Sequence, residues 1–280
     1  MKIGIIGNGF VGKATRELEC EEIEMLSYDI NPNLCQPKGT TLEHLNSCSI
    51  IFISVPTPMN KDGSCHLKIL KSVLSDLSNI NYKNYIVIRS TVPPGTSDEL
   101  KCYFMPEFLT EKNFKEDFIN NKNWIFGLKG CETDNVFKNK ISELFQIAYD
   151  NKKITNNTVT FMTNKEAEMV KLFRNCFLAT KISFSNEIYD FCEAKGINYE
   201  NVRKIATDDI RIGPSHTMVP GHDGMRGFGG TCFPKDINSL KHEFEKLDIE
   251  PFVIKAVIER NETKDRVEKD WNDNKGRAVV

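Results

Sequence analysis

The chain has 280 residues, of which 40% are apolar and 27% are charged, and its formal net charge is −2 at pH 7. This length allows two modest domains with a hydrophobic core each, and the near-neutral charge gives no electrostatic reason to expect a nucleic acid or an anionic membrane as partner. No apolar run reaches the roughly 18 residues of a membrane span, and the N-terminal residues lack a signal-peptide layout. The nine cysteines form no CxxC pair and the five histidines show no metal-ligand spacing, so we expect reduced thiols, a cytoplasmic protein and no metal site.

Short apolar runs alternate with polar, helix-like segments through the first half of the chain. We predict strands at residues 2–7, 24–29, 49–55, 85–90, 101–106 and 123–128. Near-continuous apolar runs are typical of a parallel sheet that is covered on both faces. Their alternation with helices predicts right-handed crossovers and a doubly wound, Rossmann-type α/β domain. We place this domain at residues 1–155.

The second half of the chain reads as an all-helical domain at residues 156–270, followed by a tail at 271–280. Residues 163–196 contain no proline and have their only glycine at the end, so they predict one long central helix. Thr163 and Glu166 have the spacing of a capping box, and Gly196 suits a C-terminal cap. Apolar residues occupy most faces of this helix, and we therefore expect it to pack against a second subunit in a homodimer. Shorter helices are predicted around residues 199–207, 236–247 and 251–268.

A glycine-rich turn follows the first predicted strand. Gly7, Gly9 and Gly12 form the pattern GxGxxG, with Phe10 and Val11 between the last two glycines, at the point where a helix begins. Such glycines permit a tight turn and a close approach of the backbone to a pyrophosphate at the helix N-terminus. Asp29 ends the second strand, where a carboxylate can bind the ribose hydroxyls, and no arginine follows it to neutralise a 2′-phosphate. The pattern predicts an NAD site.

Cys232 lies between a glycine-rich loop and a predicted helix in the segment GFGGTCFPKD, residues 227–236. Its place before a helix N-terminus and near Lys235 favours the thiolate. A buried free cysteine usually acts as a small apolar residue. A cysteine with only that role would not require a glycine-rich loop, a helix start and a lysine beside it. A thiolate beside a nicotinamide suggests oxidation of an aldehyde through a thiohemiacetal and a thioester.

The segment around Cys232 resembles the catalytic-cysteine motif of the UDP-glucose/GDP-mannose dehydrogenase family, which oxidises a sugar-nucleotide alcohol to the acid with two NAD. The resemblance runs from residue 1 to about residue 260. It rests on further segments in the same order: GIIGNGFVG, VPTP at 55–58, RSTVPPGT at 89–96, MPEFLTE at 105–111, EAEMVKLFRN at 166–175 and DDIRIG at 208–213.

The resemblance implies a role for each matching residue. Cys232 matches the nucleophile, and Lys171 and Asn175 match the pair that holds the reacting oxygen and stabilises the oxyanion. Asp236 matches the aspartate of water and proton transfer beside the thiol, and Glu107 matches the base of thioester hydrolysis.

Other matches lie near the cofactor and the sugar. Near the cofactor the family positions correspond to Thr57, Thr91, Glu111 and Lys235, and Thr91 also counts among the catalytic residues. For the substrate we add to Glu107, Lys171 and Asn175 the residues Phe108, Leu109, Arg211, Gly221, His222, Asp223, Gly224, Met225 and Gly229.

The chain departs from the family pattern at two places. Leu34 stands where a basic residue often follows the ribose-binding aspartate. Family members also continue into a third, α/β domain that grips the nucleotide, and residues 275–280 resemble its first strand. We therefore expect a short form that lacks this domain.

The function predicted on this resemblance is four-electron oxidation of a nucleotide sugar, with UDP-glucose to UDP-glucuronate as the best single choice. GDP-mannose or a UDP-N-acetylhexosamine is the alternative within the class. A two-electron β-hydroxyacid dehydrogenase shares the domain plan and the Lys–Asn pair but would not need Cys232. A catalytically degenerate binding subunit is the third alternative, and the retained catalytic side chains argue against it.

Overall fold

The computed structural model describes all residues 1–280, and its contacts divide them into two compact units. The first unit comprises residues 1–57 and 67–171, and the second comprises 58–66 and 172–280. No helix is both long enough and apolar enough to cross a membrane.

A seven-stranded sheet forms the centre of the first unit. Its strands are β1 (Lys2–Ile6), β2 (Glu24–Tyr28), β3 (Ile50–Ile53), β4 (Tyr85–Ile88), β5 (Tyr103–Phe104), β6 (Trp124–Leu128) and β7 (Val159–Thr163). They lie in the order β2-β1-β3-β4-β5-β6-β7. All neighbours are parallel except β5 and β6, which are antiparallel. The predicted doubly wound fold is confirmed, with one antiparallel pair.

The helices follow the alternation that the sequence indicates. Those before the last strand are α1 (Phe10–Thr15), α2 (Lys68–Asn79), α3 (Thr96–Glu99), α4 (Phe114–Ile119) and α5 (Asp134–Asp150). Those after it are α6 (Asn164–Lys195), α7 (Tyr199–Thr207), α8 (Phe233–Glu245) and α9 (Phe252–Arg260). Short 3₁₀ turns occupy Arg16–Leu18, Pro32–Leu34, Glu43–Ser47 and Asp270–Asp273, and a π-helical turn covers Asn261–Asp265.

The core of the first unit lies on both faces of the sheet. Ile3, Ile5 and Phe52 belong to one buried cluster, whereas Ile51 and Ile53 belong to the other. Successive residues of a strand point to opposite faces, so the near-continuous apolar runs feed two cores. This burial explains why these strands lack a polar face.

Helix α6 has the ends that its sequence predicts. The backbone N–H of Thr163 donates to Glu166, and the N–H of Glu166 donates to the Thr163 hydroxyl, which is the reciprocal arrangement of a capping box. At the other end Gly196 has φ +67°, and the N–H of Ile197 donates to the carbonyl of Cys192. This six-to-one bond is that of a Schellman cap.

The final residues of the chain pair with residues 58–66 inside the second unit. The N–H of Met59 donates to the carbonyl of Ala278, and the N–H of Val280 donates to the carbonyl of Met59. Ala278 is buried. These residues therefore form a small backbone ladder with the segment that connects β3 to α2.

Candidate active site

The turn at residues 7–12 has the shape that a dinucleotide requires. Gly7 has φ +88°, and a Cβ there would lie 2.6 Å from the carbonyl oxygen of Ser54. A Cβ on Gly12 would lie 2.2 Å from the carbonyl oxygen of Gly7. At Gly9 a Cβ would meet no atom within 4 Å, so this glycine faces open space. The turn is tight where the backbone closes and open where a pyrophosphate would lie, and the residues fit NAD.

Asp29 is held at the end of β2 by backbone donors. Its two carboxylate oxygens accept from the N–H groups of Asn8, at 2.7 Å, and Asn31, at 2.9 Å. The Asn8 side chain is buried and donates to the carbonyl of Leu34. Its own carbonyl oxygen has no partner within the protein. Carboxylate oxygens accept more than one bond, so Asp29 can still receive ribose hydroxyls.

Two threonines lie beyond the carboxyl ends of β3 and β4. The hydroxyl of Thr57 donates to the carbonyl of Thr91 at 2.7 Å, and the hydroxyl of Ser90 donates to the carbonyl of Val55. Ligands of open α/β sheets bind outside the carboxyl ends of the strands. Glu111, the other predicted cofactor residue of this unit, is exposed.

Glu107 and Lys171 form a buried ion pair in the first unit. The Lys171 Nζ donates to the Glu107 carboxylate at 2.7 Å and to its backbone carbonyl at 2.8 Å. The N–H of Leu109 donates to the other carboxylate oxygen. The lysine also lies 5.8 Å from the centre of the Phe108 ring. Glu107 and Phe108 therefore contact the lysine ammonium, and the backbone of Leu109 holds the Glu107 carboxylate.

The charge of Glu107 is maintained by its neighbours. Burial alone would raise the pKa of this carboxyl, but Lys171, the N–H of Leu109 and the charge of Arg89 together hold the pKa below its usual value. Arg89 is itself buried, and burial lowers its pKa to about 10. Glu107 is therefore held in its ionised form, and a carboxylate in this form can act as a proton acceptor.

The second unit contains a polar cluster at the start of α8. Cys232 occupies the N-cap position of α8, and its carbonyl accepts from the N–H of Asp236. The Asp236 carboxylate is buried and accepts from the Asn175 amide at 2.6 Å and from Lys235 at 2.5 Å. The thiol lies 3.7 Å from the Thr231 hydroxyl. Four of the predicted site residues of this unit thus lie within one helical turn or in direct contact.

The Lys235 ammonium remains charged in this cluster. Burial would lower its pKa, but the charges of Asp236, Cys232 and Cys65 raise it above its usual value. A charged lysine and a helix N-terminus both stabilise a thiolate. The cluster therefore places a cation and a helix N-terminus beside Cys232.

The residues of the predicted sugar loop, 221–225 and 229, are mostly exposed to solvent. His222, Gly224 and Met225 are exposed, and Gly221 and Gly229 are half-buried. The Asp223 carboxylate accepts from the Arg266 guanidinium and from the N–H of Met225. Arg211 has a side chain that is 86% exposed and paired with Asp209.

Two parts of the chain match the two domains of one family. Residues 36–149 match the NAD binding domain, and residues 165–263 match the central domain, of the UDP-glucose/GDP-mannose dehydrogenase family. The UDP-glucose 6-dehydrogenase of Campylobacter jejuni is 30% identical over an alignment that covers 94% of this chain and 72% of that protein. The chain belongs to the UDP-glucose/GDP-mannose dehydrogenase family. The predicted family and its NAD cofactor are confirmed.

Several relatives of the chain are longer than the chain itself. The UDP-glucose 6-dehydrogenase of Rickettsia felis is 34% identical over 229 residues, which are 78% of this chain and 48% of that protein. The chain thus spans about half the length of such relatives. A solved UDP-glucose dehydrogenase from Pyrobaculum islandicum superposes with a TM-score of 0.77 at 25% identity, covering 93% of this chain and 68% of that structure.

Arg89 is a candidate site residue that the sequence analysis does not assign. It is 2% exposed, its Nη1 contacts the Thr15 hydroxyl, and its Nε has no partner within the protein. The signal in the sequence is an arginine at the end of the apolar run YIVIR. A charged residue directly after a buried strand of a dehydrogenase in this family is a candidate for the carboxyl-end site.

Proposed function

We propose that the chain performs the NAD-dependent, four-electron oxidation of a nucleotide-sugar alcohol to the acid, with UDP-glucose as the preferred substrate. The observation that supports this most is the cluster at α8, where Cys232 is followed by a buried Asp236 that Asn175 and Lys235 hold. A dehydrogenase that stops at the carbonyl would not need an activated thiol beside these groups.

In the proposed reaction the sugar carbon loses two hydrides in succession, and NAD bound at the turn of residues 7–12 and at Asp29 would supply the hydride acceptor each time. Between the two oxidations the Cys232 thiolate adds to the aldehyde carbon and forms a thiohemiacetal. Loss of the second hydride leaves a thioester on Cys232, and water then cleaves the carbon–sulfur bond to give the acid and the free thiol. Two NADH form for each acid.

The other residues have complementary roles in this proposal. Lys171 and Asn175 lie one turn apart on α6 and would hold the reacting oxygen, with the lysine charge stabilising an oxyanion. Asp236 would pass protons beside the thiol. Glu107, whose carboxylate is kept ionised by Lys171 and Arg89, would accept a proton from the attacking water.

The test is turnover by the purified chain with NAD and UDP-glucose, followed by NADH absorbance and acid yield. We expect two NADH per acid, and we expect Cys232→Ala to abolish acid formation while NAD still binds. Cys176→Ala is the matched control, since Cys176 is a buried thiol on α6. One NADH per product, or half of the normal acid yield from Cys232→Ala, would contradict the covalent route.

The same assay defines the substrate within the class. GDP-mannose and a UDP-N-acetylhexosamine are offered in place of UDP-glucose at equal concentrations. The proposal expects the highest kcat/KM for UDP-glucose, and a higher value for either of the others would replace it as the substrate.

We also propose that the chain forms a cytoplasmic homodimer through α6. Phe173, Phe177, Phe184 and Phe191 are 61%, 55%, 65% and 58% exposed. Their spacings of four and seven residues place them on one face of the helix. A continuous aromatic strip of this kind is rarely left in water, which supports its burial against a second copy.

A further inference from the structure

The segment that leads to Cys232 is fixed by residues that follow α9. Asn261, the first residue of the π-helical turn, pairs with both backbone groups of Phe228. Its side-chain oxygen accepts from the Phe228 N–H at 2.8 Å, and its amide donates to the Phe228 carbonyl at 2.9 Å. Asn261 is 1% exposed, so this pair is shielded from competing water.

Arg266 makes a second set of contacts to the same segment. Its guanidinium donates to the Asp223 carboxylate at 2.6 Å, to the backbone carbonyl of Arg226 at 3.1 Å and to Asp270 at 2.9 Å. The Arg266 side chain is 3% exposed. The planar fork of an arginine can bridge three acceptors, whereas a lysine cannot reproduce this geometry.

Two glycines of the segment make these contacts possible. A Cβ on Gly227 would lie 2.3 Å from the Asn261 side-chain oxygen. A Cβ on Gly229 would lie 2.5 Å from the Arg266 guanidinium. Both distances are shorter than side chains tolerate, so Gly227 and Gly229 allow the backbone to approach Asn261 and Arg266. These contacts therefore explain why positions 227 and 229 require glycine, independently of a bound sugar.

We infer that Asn261 and Arg266 are positioning residues that hold residues 221–231 in place and thereby present the Cys232 thiol at the start of α8. The backbone continues from Phe228 to Cys232 through only three residues, two of which are glycines. Without anchors such a segment would sample many conformations. With them, the thiol stays close to Lys235 and to the N–H groups of α8. This role rests on the proposed function of Cys232 as nucleophile.

The test compares two arginines of the second unit. Arg266→Gln removes the contacts to the loop, whereas Arg203→Gln removes a partly buried arginine of α7 that pairs with Glu200 and contacts the Thr217 hydroxyl. Deuterium uptake of residues 221–231 and iodoacetamide alkylation of Cys232 are measured by mass spectrometry. Cys131, an exposed thiol of the first unit, serves as internal reference.

We expect Arg266→Gln to increase uptake in the loop and to slow alkylation of Cys232 at least about five-fold relative to Cys131, because a displaced thiol loses its thiolate-stabilising neighbours. Arg266→Lys should recover part of the rate, and Arg203→Gln should change neither measurement. If Arg266→Gln does not fold, Arg266→Lys alone must slow alkylation of Cys232 more than Arg203→Lys does. Unchanged or faster alkylation, or equal effects of the two arginines, would overturn the inference. Alkylation requires neither NAD nor a sugar, so a failed turnover assay leaves this test intact.

Discussion

At the scale of single residues, the carboxylate of Glu107 has the clearest consequence for the proposed chemistry. Glu107→Gln keeps the size of the side chain and can still accept from the Leu109 N–H, but it can no longer take a proton. We expect it to slow thioester hydrolysis by about 100-fold and to affect hydride transfer much less. An acyl adduct should then accumulate on the peptide that contains Cys232, as a mass increase.

The control for this variant is Glu116→Gln, which changes an exposed carboxylate on α4. It should form no adduct. Equal slowing of hydride transfer and hydrolysis by Glu107→Gln, with no adduct, would remove Glu107 from the role of base.

Two glutamates at the start of α6 should respond to pH in opposite directions. Glu168 is buried and accepts from the N–H groups of Gly95 and Ser97. Burial, partly offset by these donors, raises its pKa to about 7 from the ordinary 4.5. The folded chain therefore binds its proton more tightly than the unfolded chain does. This stabilisation is complete below about pH 4.5 and is lost as the pH rises through about 7.

Replacing Glu168 with Gln should remove this pH dependence. Relative to Glu168→Gln, the free energy of unfolding of the unmodified chain should fall by about 1 to 3 kcal/mol between pH 4.5 and pH 8. For Glu166 the hydrogen bonds from Thr163 lower the pKa of the carboxyl. Glu166→Gln should therefore reduce the free energy of unfolding near neutral pH. This loss should become smaller as the pH falls through the lowered pKa. Urea titrations of both variants from about pH 3 to about pH 8 measure the two signs, and the same sign for both would contradict the assignment.

Some contacts between single residues could be predicted from the sequence, and others could not. The pairing of Thr163 with Glu166 is local, and the capping box could be predicted from spacing alone. The proximity of Arg89 and Glu107 depends on the parallel register of β4 and β5, in which Ile88 pairs with Phe104. No local pattern encodes that register, so Arg89 becomes visible as a neighbour of Glu107 only in the fold.

At the scale of elements, six of the seven strands and the long helix follow from apolar patterning. The pattern does not predict β7, because four of its residues are only partly buried, Thr163 is exposed, and the strand runs directly into α6. It extends the sheet beyond residue 155. The predicted helix at 236–247 begins earlier, at Phe233, because Pro234 is accepted in the first turn. The predicted helix at 251–268 ends as an α-helix at Arg260, where the π-helical turn takes over.

The aromatic strip on α6 gives a prediction about assembly. Phe184→Glu places a charge in the middle of the strip, where burial against a second copy would desolvate it. We expect the unmodified chain to be a dimer and this variant to be a monomer by light scattering at equal concentration. Phe252→Glu is the matched control, because Phe252 is 77% exposed on α9, and it should leave the mass unchanged. A monomeric unmodified chain would remove the dimer proposal.

At the scale of the whole molecule, composition and charge indicate the class of protein, and motif order indicates the family. The placement of each cluster required the structure. Lys171 and Asn175 are neighbours on one helix, yet their partners lie 64 and 61 residues away in sequence. Spacing along a helix could predict that these two side chains share a face. It could not predict that the lysine pairs with Glu107 and the asparagine with Asp236.

The preference for NAD over NADP can be measured as a difference in how much each cofactor stabilises the folded chain. Asp29 presents a carboxylate at the end of β2, and residues 30–37 contain no lysine or arginine. A 2′-phosphate would meet that negative charge without a compensating cation, whereas ribose hydroxyls can donate to it. NAD at about 100 times its Kd should stabilise the folded chain by about 2.7 kcal/mol, which raises the melting temperature by several degrees. NADP at the same concentration should raise it much less.

Asp29→Asn should reduce the difference between the two cofactors, because the amide no longer repels the phosphate. Asp62→Asn, at an exposed turn, should leave the difference unchanged. Equal shifts by NAD and NADP in the unmodified chain would show that Asp29 does not select the cofactor.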